Sequence, residues 1–575
     1  MKRLFKYLRG YGKESILGPV FKLCEATLEL IVPLIIALLV DNGINGGRGT
    51  PYIIWMSLLL VLFGAVGLAF SVVAQYYCAK ASVGFIKEVR GALFSKIQTL
   101  SYSDNDRIGT STMITRMTAD SSKVQTGLNL ALRLLLRSPF VVFGAMIMAF
   151  IVDPTSAVSF AVVIPVLSVV VFGIMLITMP LYKRAQSATD GILRSTRENL
   201  SGARVIRAFR LEDSEIAGFE AKNGILTAIQ KRVGMISALL NPLTYVIINL
   251  AVLWLMELGA IQVSHGDLSA GEVLALYNYM SQILVELIKL ANLIIQITRA
   301  LASASRLADV LDIESSEVSG SVTEIEDAPI AVEFRGAALT YAGSSEPSVS
   351  GVNLTVRHGE TVGIIGGTGS GKTTLVNMIP GFYPATEGEV LIEGKPIPEY
   401  DSATLRRAIG IVPQRAVLFR GTVRDNLTIG KKDASDEELY EALKTAQIYD
   451  TVMEKGGLDT IVEEGGQNLS GGQKQRLTIA RALVGSPRIL ILDDSASALD
   501  FATDAALRAA IRDMQGESTV FIVSQRTSSI MHADKILVLD DGEVVAAGTH
   551  EELLVSSELY REIHESQFGG GVQVG

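Results

Sequence analysis

The chain has 575 residues, of which 49% are hydrophobic and 19% charged, with a formal net charge of −9 and a mean hydropathy of +0.36. Because soluble domains carry about 25% charged residues, this composition favours a membrane protein. The composition also excludes a disordered or collagen-like chain. The balance of 51 Lys and Arg against 60 Asp and Glu argues against a nucleic-acid partner. Cys24 and Cys78 lie in apolar runs without metal-ligand spacing, which predicts buried small hydrophobes.

The first half of the chain contains apolar segments long enough to cross a bilayer, which takes about 20 residues. The predicted spans are 16–40, 52–78, 130–152, 156–178, 236–263 and 270–301. The first run is too long for a cleaved signal peptide and has no Ala-x-Ala exit. The sequence therefore predicts an all-α transmembrane domain of six helices over residues 1–310.

Basic residues are distributed unevenly between the connections of these spans. The short connections carry only Arg48, whereas Lys and Arg are concentrated near the N-terminus and in the two long connections, 80–137 and 183–235. By the positive-inside rule, both termini are expected on the cytoplasmic side of the membrane. The long connections are compatible with helix, and a 25-residue extension would reach about 37 Å beyond the bilayer.

The composition changes after residue 310. Residues 311–328 are acidic and Ser-rich, which is typical of a linker, and residues 329–568 have the mixed composition of a soluble α/β domain. The glycine-rich residues 569–575 are expected to form a flexible tail.

The soluble half contains a glycine-rich loop between a strand at 360–365 and a helix, which fits G-x-x-x-x-G-K-[ST]. Its backbone N–H groups are expected to surround the phosphates of ATP, with Lys372 at the β and γ oxygens and Thr373 at Mg²⁺. A second apolar strand ends in Asp493 and Asp494, and Asp493 is predicted to hold Mg²⁺ through water. The predicted phosphate-binding residues are Gly366, Thr368, Gly369, Ser370, Gly371, Lys372, Thr373 and Thr374.

Another glycine-rich segment precedes a predicted helix and offers a second anion site. It consists of Leu469 followed by Ser470, Gly471, Gly472 and Gln473. One nucleotide does not need two such phosphate-binding segments. This segment is therefore expected to face the γ-phosphate of ATP bound to another subunit.

With these motifs the chain resembles an ATP-binding-cassette (ABC) half-transporter of the exporter type, in which six membrane helices are fused to one nucleotide-binding domain. The resemblance implies that Tyr341 stacks on adenine and that Gln414 contacts Mg²⁺ and senses the membrane half. It places Ser497 and Asp500 in the loop that links the two nucleotide sites of a dimer. Short helices near 102–107 and 207–214 are expected to dock on the cassettes.

Two positions depart from the family pattern. Asp494 stands where the family has a catalytic Glu, and Gln525 stands where it has a His at the γ-phosphate. The carboxylate is shorter by about 1.5 Å at a place where geometry must hold to fractions of an ångström. Glutamine cannot become a cation or shuttle a proton. We therefore expect this site to bind ATP but hydrolyse it poorly, as in the degenerate-site subunit of bacterial heterodimeric multidrug exporters.

The expected partner is a second half-transporter with intact catalytic Glu and His, while a homodimer with two slow sites is the alternative. Carboxylates inside the spans indicate either a cavity for amphipathic cations or ordinary contacts between helices, such as a pair between Glu286 and Lys289. These carboxylates are Glu25, Glu29, Glu257 and Glu286. The resemblance implies export of hydrophobic drugs or lipid-like molecules across a bacterial cell membrane, the inner or plasma membrane. An importer with the exporter fold and a regulatory subunit switched by ATP remain the other hypotheses.

Overall fold

The computed structural model describes residues 3–317, 319–495, 499–513 and 518–568, which form two compact units. The first unit comprises the residues up to Gln98 together with Ser111–Ile313. The second comprises Thr99–Thr110 together with the residues from Glu314 onward. The first is helical and the second is α/β, which confirms the predicted fold class.

Helices account for the whole of the first unit, and one short helix from the same stretch of sequence, α3, belongs to the second. The helices of this stretch are α1 (Gly12–Leu38), α2 (Thr50–Gln98), α3 (Tyr102–Ile108), α4 (Thr110–Thr115), α5 (Ser121–Leu134), α6 (Arg137–Val152), α7 (Pro154–Ser201), α8 (Ala203–Ala208), α9 (Glu212–Ala238), α10 (Leu240–His265) and α11 (Ala270–Leu311). A 3₁₀ segment, Leu4–Tyr11, precedes α1, and π-helical turns occupy Leu39–Asn45 and Arg116–Asp120.

Within the described residues, 6 helical stretches are long and apolar enough to cross a membrane. They are Leu4–Asn45, Thr50–Gln98, Thr110–Val152, Pro154–Ser201, Glu212–His265 and Ala270–Leu311. Helix α2 alone has 49 residues, which corresponds to a length of about 74 Å. Since the hydrocarbon core of a bilayer is about 30 Å thick, such helices extend far beyond it.

The third membrane stretch is interrupted between α5 and α6. Leu135 and Leu136 form a turn, and α6 begins at Arg137 with Pro139 in its first turn. A proline has no N–H to donate, and its ring clashes with the carbonyl group four residues earlier, here that of Leu135. Pro139 therefore explains why the helix breaks at this point and restarts at Arg137.

The first and last membrane helices are joined by polar contacts. Ser269 caps α11 in a capping box with Glu272, and the backbone N–H of Gly271 donates to Asp41 Oδ1 at 2.8 Å. Deeper in the unit, the hydroxyl of the fully buried Tyr279 donates to the Leu30 carbonyl at 2.6 Å. These contacts fix the register of α11 against α1.

The second unit is built on two main sheets. Its strands are β1 (Ile330–Leu339), β2 (Val349–Arg357), β3 (Thr361–Gly366), β4 (Glu387–Ile392), β5 (Lys395–Pro396), β6 (Ile409–Val412), β7 (Gly421–Thr422), β8 (Ile461–Val462), β9 (Ile489–Asp493), β10 (Thr519–Val523), β11 (Lys535–Asp540) and β12 (Glu543–Gly548). An antiparallel sheet has the order β2-β1-β4-β5, and the central sheet has the order β12-β11-β3-β10-β9-β6.

The helices of the second unit that follow β3 contribute buried side chains to the same hydrophobic clusters as the strands. They are α12 (Lys372–Met378), α13 (Ser402–Arg407), α14 (Val423–Leu427), α15 (Asp436–Thr445), α16 (Tyr449–Glu454), α17 (Gly471–Leu483), α18 (Phe501–Asp513), α19 (Thr527–Ile530), α20 (His550–Ser556) and α21 (Glu558–Phe568).

The central sheet brings the candidate functional segments together. Strands β3, β10 and β9 are parallel neighbours, and Val523 at the end of β10 lies in register with Ile364 and Asp493. Ligands of such sheets bind outside the carboxyl ends of the strands. The glycine-rich loop after β3, the two carboxylates at the end of β9 and the Gln525 segment after β10 all lie at that edge.

Helix α3 packs within the second unit through aromatic side chains. The ring of Tyr102 stacks on Phe382 with centroids 4.2 Å apart, and the hydroxyl of Tyr383 donates to Asp106. The second predicted segment, 207–214, contains the end of α8, a turn with the exposed Phe209, and the start of α9.

Candidate nucleotide-binding site

Two glycines of the loop after β3 occupy positions that admit no side chain. Gly371 has φ +92°, and a Cβ there would lie 2.6 Å from the carbonyl oxygen of Ser348. A Cβ on Gly366 would lie 2.1 Å from the carbonyl oxygen of Leu539. Only glycine lets the backbone turn this tightly between β3 and α12.

Lys372 is buried beneath this loop, with 8% of its surface exposed. Its Nζ donates to the Gly366 carbonyl at 2.9 Å and to Ser370 Oγ at 3.3 Å. Burial lowers the pKa of Lys372 below its ordinary value, an effect opposed by the charges of Asp494 and Asp493. The loop thus holds the ammonium group at the wall of the cavity, where a phosphate oxygen can replace a loop oxygen as its acceptor.

Asp493 and Thr373 form a pair of oxygen ligands at the end of β9. Thr373 Oγ1 donates to Asp493 Oδ1 at 3.0 Å, and Asp493 is buried. Burial raises the pKa of Asp493, and the nearby charge of Asp494 raises it further, while the bond from Thr373 opposes both. Hydroxyl and carboxylate oxygens suit Mg²⁺, so this donor set fits that ion.

Asp494 turns away from the strand with φ +46°, and its backbone N–H donates to the Val523 carbonyl at 2.9 Å. Gln414 Nε2 lies 3.5 Å from Asp494 Oδ2. Burial raises the pKa of Asp494, while Gln414, Lys372 and Arg526 favour its ionised form. Asp494 therefore lies beside the pair of Thr373 and Asp493 and is bonded to the end of β10, which leads to Gln525.

These groups surround one cavity of about 230 Å³. Most of the residues that the sequence predicted for the nucleotide site line it. The lining residues are Ser348, Thr368, Gly369, Ser370, Gly371, Lys372, Thr373, Thr374, Gln414, Asp493, Asp494, Val523, Ser524 and Gln525. The cavity therefore combines the glycine-rich loop and Lys372 with the carboxylates of Asp493 and Asp494 and the neutral amide of Gln525.

Tyr341 is connected to the cavity through its hydroxyl, which donates to Thr374 Oγ1 at 3.1 Å. Its ring meets Tyr383 edge-on, with centroids 5.0 Å apart. These two contacts hold the Tyr341 ring beside the start of α12.

The second anion segment lies at the start of α17, and its residues are not among those that line the cavity. Ser470 Oγ accepts from the Gln473 N–H at 3.3 Å, and Gln473 Oε1 accepts from the Ser470 N–H at 3.1 Å. This capping box fixes the first turn, which carries Gly471 and Gly472.

Of the two residues expected in the loop between sites, Ser497 lies outside the described residues. Asp500 accepts hydrogen bonds from the backbone and hydroxyl of Thr503, both at 2.9 Å, at the start of α18. These bonds lower the pKa of Asp500.

Ser348, Val523 and Ser524 line the cavity without having been predicted from the sequence, and two further residues near it were not predicted either. Arg526 stacks over Phe501 at 5.3 Å and favours the charged form of Asp494. Gln567, at the end of α21, donates to the carbonyl of Gln525. The position of Arg526 next to Gln525 is a weak sequence signal, whereas nothing in the sequence points to Gln567.

Three of the four membrane carboxylates named from the sequence contact basic side chains. Arg137, expected among the basic residues of a connection, is 6% exposed and contacts Glu286 Oε1 at 2.7 Å and Glu29 Oε2 at 2.5 Å. Lys289 also contacts Glu286, at 2.9 Å, as the structural alternative proposed. Glu25 pairs with Lys22, which also donates to Ser71. The remaining carboxylate, Glu257, is exposed.

Replacing Arg137 by Met is expected to destabilise the chain by about 3–5 kcal/mol, because it leaves the buried Glu286 without its main partner. A second change, Glu286→Leu, should recover at least half of that loss because it removes the unpaired buried charge, while Glu29 and Lys289 are less buried, with side chains 41% and 47% exposed. Thermal unfolding of the purified variants in detergent measures both effects. Lys289→Met is the matched control and should cost less than about 1 kcal/mol. Equal losses in the single and double variants would contradict the argument.

Comparison with known proteins gives a family match for each half of the chain. Residues 15–287 match the family described as ABC transporter transmembrane region, and residues 349–497 match the family described as ABC transporter. The uncharacterized ABC transporter ATP-binding protein YfiB of Bacillus subtilis (strain 168) is 34% identical over 571 residues, which cover 99% of each chain. The ATP-dependent lipid A-core flippase of Mannheimia succiniciproducens is 30% identical over 535 residues, covering 92% of this chain and 91% of the flippase.

A solved structure of a bacterial Atm1-family ABC exporter with ATP bound has the same fold. It superposes with a TM-score of 0.81 at 24% identity and covers 98% of this chain and 100% of that chain.

Proposed function

The chain belongs to the ABC transporter family, and from that premise we propose that it is the degenerate-site subunit of a heterodimeric exporter. The family's cassette binds ATP and couples its hydrolysis to transport, and the six apolar helices make the chain a multi-pass membrane protein. The exporter fold and the flippase relatives support ATP-driven export. The proposal adds that the two nucleotide sites of the dimer are unequal and that hydrolysis takes place mainly at the partner's site.

The observation that carries the proposal is the cavity itself, where an intact phosphate cradle faces Asp494 and Gln525. An aspartate at this position ends about 1.5 Å short of a glutamate, and an attacking water must be placed to within about 0.5 Å. Gln525 donates a neutral hydrogen bond where imidazole supplies a cation. Removing one preorganised contact of this kind commonly costs 10²–10³ in rate.

ATP binding requires residues that are all present. Lys372 and the loop N–H groups hold the phosphates, and the Tyr341 ring, held by Tyr383 and Thr374, is the platform for adenine. Thr373, Asp493 and Gln414 would hold Mg²⁺. When bound, this ion neutralises charge on the β- and γ-phosphates.

The start of α17 contacts the nucleotide that is bound to the partner subunit. Its capping box holds the backbone N–H groups of Gly471 and Gly472 in place, and Ser470 and Gly471 are exposed rather than turned toward the chain's own cavity. A preorganised helix N-terminus favours an anion through its N–H groups and its dipole. In a head-to-tail dimer this segment completes the site that hydrolyses ATP.

The cargo is a hydrophobic or amphipathic molecule such as a drug or a lipid. The name of the lipid A-core flippase relatives supports a lipid-like amphiphile. The pairing of Glu29 and Glu286 with Arg137, and of Glu25 with Lys22, leaves little net negative charge for a strongly cationic cargo. Of the four carboxylates named from the sequence, Glu257 is exposed and remains available to a cationic cargo.

The test is the ATPase activity of the chain in nanodiscs, alone and co-expressed with the half-transporter encoded beside it. We expect brisk hydrolysis only in the complex, because the complete catalytic residues belong to the partner. Changing the partner's catalytic Glu to Gln should abolish the activity of the complex.

Brisk turnover by the chain alone would overturn the proposal, since Asp494 would then suffice as a catalytic base. A complex whose activity survives the partner's Glu→Gln change would do the same. Transport in inverted vesicles separates the alternatives: an exporter accumulates cargo inside them when ATP is added outside, whereas an importer empties them and an ATP-switched regulator does neither.

A further inference from the structure

The side chain of Gln567 is bonded to the segment that carries Gln525. Its Nε2 donates to the Gln525 carbonyl at 2.7 Å. Its Oε1 accepts from the backbone N–H of Thr527 at 2.9 Å and from the Thr527 hydroxyl at 3.0 Å. One carboxamide therefore clamps the backbone on both sides of Arg526.

This clamped segment leads directly from the central sheet to the nucleotide cavity. The Ser524 N–H donates to the Ile364 carbonyl at 3.0 Å, so the segment begins in fixed register with β3. Thr527 is fully buried at the start of α19. Between these two anchors Gln525 is exposed at the cavity wall, and the bond from Gln567 holds its carbonyl group.

Helix α21 is held in place by contacts that do not involve Gln567. Tyr560 is fully buried, and its hydroxyl lies 2.7 Å from His550 Nδ1 on α20. The ring of His564 packs against Phe568, with centroids 4.7 Å apart. The position of α21 therefore does not depend on Gln567, and changing that one side chain should leave the helix in place.

We propose that Gln567 is a positioning residue: it holds the backbone of Gln525 in the position from which the Gln525 side chain contacts the γ-phosphate of ATP. This inference rests on the proposed role of Gln525 at that phosphate. Because ADP has no γ-phosphate, the effect of Gln567 falls on ATP affinity and spares ADP affinity. A helix-capping role alone would not distinguish the two nucleotides.

The variant Gln567→Glu separates positioning from capping. Glutamate keeps an acceptor for the Thr527 N–H and hydroxyl but has no N–H to donate to the Gln525 carbonyl. In the full-length chain in nanodiscs, displacement of trinitrophenyl-ATP by MgATP or MgADP should show ATP affinity weakened about three- to tenfold. ADP affinity and the unfolding temperature should remain unchanged. Glu565→Gln, an exposed change on the same helix, is the matched control and should leave both affinities unchanged.

The variant Gln525→Ala distinguishes failure of this inference from failure of the proposed function. It should weaken ATP binding selectively, and adding Gln567→Glu to it should have no further effect. If Gln525→Ala is selective but Gln567→Glu is silent, weakens ATP and ADP equally, or acts undiminished in the Gln525→Ala background, the positioning role is wrong and the role of Gln525 stands. If Gln525→Ala leaves the preference for ATP unchanged, both are wrong.

Discussion

The double variant Asp494→Glu, Gln525→His is expected to hydrolyse ATP about 10²–10³-fold faster than the unmodified chain, measured as phosphate release by dimers of this chain in nanodiscs. The glutamate extends the carboxylate by about 1.5 Å beside the magnesium ligands, and the histidine restores a group that can become a cation. In such a dimer the second copy supplies an intact Ser470–Gln473 segment. Dimer formation is checked by mass photometry before the assay.

Backbone strain opposes this gain but is too small to cancel it. Asp494 has φ +46°, a left-handed conformation that aspartate tolerates better than glutamate. The cost for glutamate is about 1–2 kcal/mol, whereas a 10²–10³-fold gain corresponds to about 2.7–4 kcal/mol of transition-state stabilisation. The bond from the residue's backbone N–H to Val523 holds the new side chain at the cavity despite the strain.

The matched control is Asp494→Gln, Gln525→His, which has the same length without the charge. It should remain as slow as the unmodified chain, because an amide cannot act as a base. If the glutamate and glutamine versions hydrolyse ATP at the same rate, the length of the carboxylate is not what limits this site.

The nucleotide site could be predicted from the sequence because each of its parts is local. The glycines of the phosphate loop, the carboxylates at the end of β9 and the cap of α17 are each encoded within a few consecutive residues. Their assembly then follows from the parallel order of β3, β10 and β9, which places the carboxyl ends of the strands side by side.

The contacts that could not be predicted join residues far apart in the chain. Gln567 and Gln525 are separated by 42 positions, and Arg137 lies 108 and 149 positions from its partners Glu29 and Glu286. A count of basic residues assigns Arg137 to a connection between spans. Only the break before Pro139 and the packing of α6 against α1 and α11 reveal that it is buried.

Changing Gly471 to Asp is expected to lower the ATPase activity of the complex with the partner by about 10²–10³-fold, because it places a carboxylate where the partner's γ-phosphate must bind. Folding should be preserved. Among the described residues, and apart from its chain neighbours and the backbone of α17 itself, no atom lies within 4 Å of the position that a Cβ on Gly471 would take. An aspartate in the first turn of α17 interacts favourably with the helix dipole, by about 0.3–1 kcal/mol. The measurement is phosphate release by the co-expressed complex together with its unfolding temperature.

Gly471→Asn has the same shape without the charge and should lose far less activity, so the difference between the two variants isolates electrostatic repulsion of the phosphate. ATP binding by this chain alone should be the same in both variants, since Gly471 does not line the chain's own cavity. Full activity of the Gly471→Asp complex would show that α17 does not face the partner's nucleotide, and a loss of ATP binding by the isolated chain would place α17 at its own site instead. Loss of hydrolysis with unchanged stability and unchanged ATP binding is the combination that only a segment acting across the dimer produces.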